Sequence, residues 1–122
     1  MPSLNLYIAI CKRRETGDPR HWILVMREEG SNESIRYHST GGPTKGMDYS
    51  VAIESKPFES RGIEKHHFIC PITYKDKNKI KAVAKRIPGM NCQEWVVNVL
   101  RELEMRKIVP LGTSTEWRAT ME

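Results

Sequence analysis

Several things are scarce in this 122-residue chain, and each scarcity removes a class of function. No apolar run is long enough to cross a bilayer. The short one over residues 4–10 alternates with other residues and has no basic segment ahead of it, so it reads as a strand and not as a signal peptide. Three cysteines, Cys11, Cys70 and Cys92, cannot all pair within one chain and match no zinc spacing, which predicts free thiols in a reducing, cytoplasmic setting. Aromatic residues amount to 7%, and none is interleaved with the lysines as a platform for single-stranded nucleic acid requires. The glycines and lysine of residues 40–46 lack the spacing of a phosphate-binding loop. The pair His66-His67 has no further histidine or carboxylate at useful spacing, so neither a metal nor a cofactor is expected. There is no repeat and no low-complexity segment.

What is present suits one domain with a modest core. Residues 4–11 alternate Leu4, Leu6, Ile8 and Ile10 with Asn5, Tyr7, Ala9 and Cys11, the pattern of a strand with one buried face. Further strands are predicted over residues 21–27, 35–39, 48–56 and 66–74, the last placed at an edge or bend by Pro71, with Phe68, Cys70 and Ile72 opposed to His67 and Ile69. Residues 12–20 form a polar connection. Residues 76–87 carry Ile80, Val83, Ala84 and Ile87 at helical spacing, and a second helix runs from Cys92 to Arg106 with Trp95, Val96, Val99, Leu100 and Leu103 on one side. Strands early and helices late predict an α+β fold, an antiparallel sheet of about five strands with two C-terminal helices on one face. The domain spans residues 1–111, and residues 112–122 read as a loose polar tail that Trp117 anchors.

The net charge of +5 is unevenly placed: residues 61–87 hold eight basic residues against two acidic ones. Such a run is usually one solvated helix face, and it also offers a footprint for a polyanion.

Chemistry concentrates at Pro88-Gly89-Met90-Asn91-Cys92-Gln93-Glu94-Trp95. Pro88 and Gly89 break the preceding helix, Asn91 is an N-cap, and Glu94 completes a capping box, so Cys92 is the first helical residue. Unpaired N–H groups and the helix dipole at that position favour a thiolate. The plain alternative is a small buried residue in line with Val96, Val99 and Leu103. Upstream, a tight turn at Glu29-Gly30 pairs positions whose numbers sum to 59. It sets His21 opposite His38 on one face, with Trp22, Leu24, Met26, Ile35 and Tyr37 on the other.

His21-Trp22 opening a strand, His38 ending the next, and Asn91-Cys92-Gln93 opening a late helix together resemble the permuted papain-like proteins, in particular the lecithin retinol acyltransferase and NlpC-type branch. Short fungal proteins with His-Trp and Asn-Cys-Gln-x-Trp elements look closer still. The resemblance spans roughly residues 4–106 and implies Cys92 as nucleophile, His21 as base and His38 as the residue orienting it; by the chemistry alone, main-chain N–H groups at Cys92 and the Gln93 side chain, with Asn91 beside them, are expected to hold the oxyanion or substrate. The chain departs from the pattern in a longer hairpin, in Gln93 where an acidic residue is common, and in lacking a hydrophobic C-terminal anchor for membrane-lipid substrates. The implied reaction is acyl transfer through a Cys92 thioester, on a small-molecule or peptide acyl substrate, as hydrolase, acyltransferase or cyclase. A reading of another class is a non-catalytic module that binds a polyanion or an acidic protein through the basic surface of residues 75–86.

Overall fold

The computed structural model of the chain describes residues 3–13 and 19–122, Thr44 through its backbone alone. Residues 14–18 of the expected polar connection lie outside them. Five strands, β1 (Leu4–Cys11), β2 (Trp22–Glu28), β3 (Glu33–Gly42), β4 (Met47–Pro57) and β5 (Ile63–Ile72), form one sheet in the order β4-β3-β2-β1-β5 with every neighbouring pair antiparallel. Among the described residues three α-helices follow: α1 (Lys77–Arg86), α2 (Cys92–Met105) and α3 (Thr113–Arg118). The fold is α+β, and no helix of the described residues is long and apolar enough to cross a membrane.

The alternation in β1 works as expected. Leu4, Leu6, Ile8 and Ile10 join Trp22, Leu24, Met26 and Tyr37 on one face of the sheet. There they meet Ile80, Val83 and Ala84 of α1 and Trp95, Val96, Val99, Leu100 and Leu103 of α2. Deleting a fully buried side chain such as Leu100 costs about 2–5 kcal/mol. The lysines of α1 lie on its outer side. The opposite face of the sheet buries Ala9, Ile23 and Val25 under Phe58, which leads the connection from β4 across to β5.

Expectations for the C-terminal segment, the helices and β5 are corrected. Residues 112–122 are not loose: α3 packs against α2, and Trp117 makes edge contacts with Trp22 and His67, ring centroids 5.4 and 5.0 Å apart. Three helices follow the sheet, therefore, and not two. In β5, Leu6 pairs with Cys70 but Tyr7 with Phe68, so a bulge at Ile69 turns Phe68 away from Cys70 and Ile72 and leaves it against Tyr7. Pro71 does stand in an edge strand.

The register of the β2–β3 hairpin is Leu24↔Tyr37, Val25↔Arg36 and Met26↔Ile35, pairs that sum to 61 and not to 59. Glu29-Gly30 still forms the turn, with Ser31 N–H donating to Glu28 O at 3.0 Å and Gly30 at φ 82°. The two extra residues are Ser31 and Asn32. Asn32 is drawn out to meet the crossover, its carbonyl accepting from Phe58 N–H at 2.5 Å and its side chain from Glu59 N–H at 3.1 Å. A shift of two preserves strand parity, so His21 and His38 keep a common face.

Candidate active site

Pairing of β2 with β3 ends at Leu24↔Tyr37, and towards His21 the two strands part. The loop before α2 is wedged into that fork. Ser39 Oγ donates to Met90 O at 2.6 Å and accepts from Met90 N–H at 3.0 Å, fixing the loop to β3. Gly89 lies against β4, where a Cβ would stand 3.1 Å from Ser50 N and Tyr49 C, so only glycine fits without a backbone shift. Asn91 caps α2 as expected, its Oδ1 accepting from Gln93 N–H at 3.0 Å and Glu94 N–H at 3.3 Å.

The Cys92 sulfur is thereby set against three main-chain N–H groups, those of Trp22, Gln93 and Cys92 itself. Cys11 N–H donates to His21 O at 2.9 Å, and this hydrogen-bonded pair turns the next N–H, that of Trp22, away from β1 into the fork. That N–H belongs to the peptide joining His21 to Trp22. The thiol is half-buried, and burial is the largest influence on it. It raises the Cys92 pKa above that of a free thiol, while the three N–H groups and the Lys45 charge pull the other way without prevailing. Burial therefore opposes the thiolate that the helix terminus alone favours.

His21 and His38 meet: Nε2 of His21 lies 3.0 Å from Nδ1 of His38, with ring centroids 5.2 Å apart. Nε2 of His38 lies 2.7 Å from Glu54 Oε1. In the β3–β4 register Arg36 faces Glu54 and His38 faces Ala52, which makes Glu54 the diagonal neighbour of His38 on the same face. Sequence reasoning did not find Glu54; the alternation of β4 shows the face it occupies, but the strand pairing that selects it is a long-range fact.

Gln93 is placed differently from the expectation that it holds an oxyanion. Only 1% exposed, its Nε2–H donates to Arg20 O at 2.9 Å while its Oε1 accepts from Glu122 N–H at 2.7 Å. It ties the residue before His21 to the C-terminal segment, a task that needs a donor and an acceptor on one side chain. A carboxylate has no donor to offer Arg20, which explains why an amide stands where the resembled proteins often carry an acid. The Glu122 carboxylate completes the tie. It accepts from Arg20 N–H at 2.8 Å, Arg20 Nε at 3.2 Å and Arg13 at 2.5 Å, contacts that hold its pKa down at about 2.

The other thiols and histidines are occupied elsewhere. Cys70 is buried, which pushes its pKa up to about 11. His66 stacks on Phe58 at 3.8 Å, and burial lowers the pKa of both His66 and His67. No group of three or more potential metal ligands occurs among the described residues. Comparison with curated proteins and with solved structures gives no match. One family model does match, over residues 6–110, a span that takes in His21, His38, Glu54 and Cys92 and stops before α3: the chain belongs to a family of unknown function (DUF6540).

Proposed function

We propose that the protein is a cysteine-dependent acyl-transfer enzyme of permuted papain-like architecture, with Cys92 as nucleophile, His21 as base and His38 orienting His21. The observation that carries this reading is the sulfur at the start of α2 held against the peptide of His21, whose ring is in turn held by His38 at 3.0 Å. In the first step the Cys92 proton passes to His21 as the sulfur bonds to the acyl carbon, and the carbonyl π electrons move to oxygen. Main-chain N–H groups at Cys92 and Trp22 are the donors available to that oxyanion, a role commonly worth about 3–4 kcal/mol per donor. Collapse expels the leaving group, which takes the proton from the imidazolium, and leaves a thioester on Cys92. Water or another nucleophile then releases the acyl group by the same steps.

Intact-mass analysis after exposure to a p-nitrophenyl ester tests the proposal. The expected result is one acyl group on Cys92, lost in Cys92→Ala and formed roughly 10²–10⁴-fold more slowly in His21→Ala, the range a general base contributes. Acylation spread over Cys11, Cys70 and lysines, unchanged by either substitution, would refute it. Salt-sensitive binding of a polyanion that ignores both substitutions would favour the basic outer side of α1 as the functional surface.

A further inference from the structure

The contact between His38 and Glu54 has a chemical direction that the pair of imidazoles alone lacks. We infer that Glu54 is a positioning residue of the proposed site, a carboxylate that fixes the ring protons of His38 and then of His21, so that Nδ1 of His21 is the nitrogen presented to the sulfur. This rests on the reading of Cys92 and His21 as nucleophile and base.

Two neutral imidazoles in contact can share their hydrogen bond either way, because each ring has one donor and one acceptor nitrogen. An ionised carboxylate removes the choice, since it only accepts. Glu54 is such a group: its hydrogen bond with His38 is the largest influence on it and holds its carboxyl below the usual carboxylate range, with Lys56 and Arg36 acting in the same direction. The proton in the 2.7 Å contact therefore sits on Nε2 of His38. In neutral His38 the lone pair is then on Nδ1, and the proton in the 3.0 Å contact sits on Nε2 of His21. Neutral His21 is left with its lone pair on Nδ1. That is the ring nitrogen nearer the backbone, and the peptide that follows His21 carries the Trp22 N–H, one of the main-chain groups at the sulfur. When Nδ1 takes the thiol proton, the imidazolium keeps its Nε2–H on His38, and the His38–Glu54 pair faces the new positive charge with a carboxylate behind it. No proton need travel beyond His21.

Ring tautomers and reactivity test this separately. Long-range ¹H–¹⁵N spectra of the full chain, taken where both rings are neutral, are expected to show His21 and His38 protonated on Nε2. Glu54→Gln, which offers an amide in place of an obligate acceptor, is expected to remove that preference at His38. It is also expected to slow acylation of Cys92 by roughly 10–100-fold, part of what a general base contributes. Glu54 is 40% exposed, so the fold is expected to survive the change, which the unfolding midpoint checks. Unchanged tautomers in Glu54→Gln, or acylation at the wild-type rate, overturn the inference. If the wild type is not acylated on Cys92 at all, the enzymatic reading fails on its own. The spectra then decide alone: a tautomer change upholds Glu54 as the group that sets the ring protons, and no change removes it.

Discussion

Ser39 and Met90 exchange two hydrogen bonds across the fork between β2 and β3, one to the Met90 carbonyl at 2.6 Å and one from its N–H at 3.0 Å. A single buried hydroxyl thus satisfies both main-chain groups of the residue that leads into Asn91 and Cys92. Ser39→Ala leaves a donor and an acceptor without their partner. The expected loss is about 1–3 kcal/mol in denaturant unfolding, with slower alkylation of Cys92 as the loop drifts from β3. A variant as stable as the wild type would show that water replaces the hydroxyl.

Gly89→Ala tests the same wedge from the β4 side. Its new methyl meets main-chain atoms of Tyr49 and Ser50 at 3.1 Å, which cannot rotate away as a side chain would. The expected cost is about 1–3 kcal/mol, measured by the same unfolding assay, because the loop and β4 must separate to admit it.

Site-resolved alkylation by mass spectrometry reports the state of the thiols. Burial raises the Cys92 pKa, so the charged, reactive form is disfavoured and its labelling is expected to rise on the alkaline side of a free cysteine. Cys70, pushed up to about 11 and buried, is expected to label last. This order agrees with a thiol that loses its proton only as it attacks. A labelling midpoint near neutrality or below would instead indicate a preformed thiolate–imidazolium pair.

Gln93→Glu probes the tie between Arg20 and the C-terminal segment. The substitution keeps an acceptor for Glu122 N–H but sets a carboxylate against the Arg20 carbonyl, so α3 and the residues after it are expected to loosen. Faster amide hydrogen exchange over residues 113–122 would register this. Glu122 itself, held down at about 2, keeps its grip on Arg20 while ionised. Its contribution is present above the ordinary carboxylate pKa and is lost as the pH falls through about 2.

Much of this was legible from residues alone, for reasons the strands make plain. The face shared by His21 and His38 survived an error of two in the register because side chains in a strand repeat every two residues, so only an odd error would have parted them. Asn91 capping α2 follows from local chemistry and needed no tertiary knowledge. Glu54 was hidden because its partner is chosen by the pairing of β3 with β4, and Glu54 carries no local signal of it. Residues 112–122 read as a loose polar tail; the Trp117 indole against Trp22 and the Glu122 carboxylate against Arg20 supply what periodicity does not display. The bulge at Ile69 was equally silent, since it adds a residue without changing composition.

From the β2 side the Trp22 amide hydrogen faces the sulfur. Trimming Trp22 to any other residue but proline would leave that hydrogen in place, so a scan by alanine would record the loss of an indole from the core and nothing of the contact. Exchanging the amide linkage after His21 for an ester isolates it: every side chain stays, one hydrogen goes, and the cradle around the sulfur opens on that side alone.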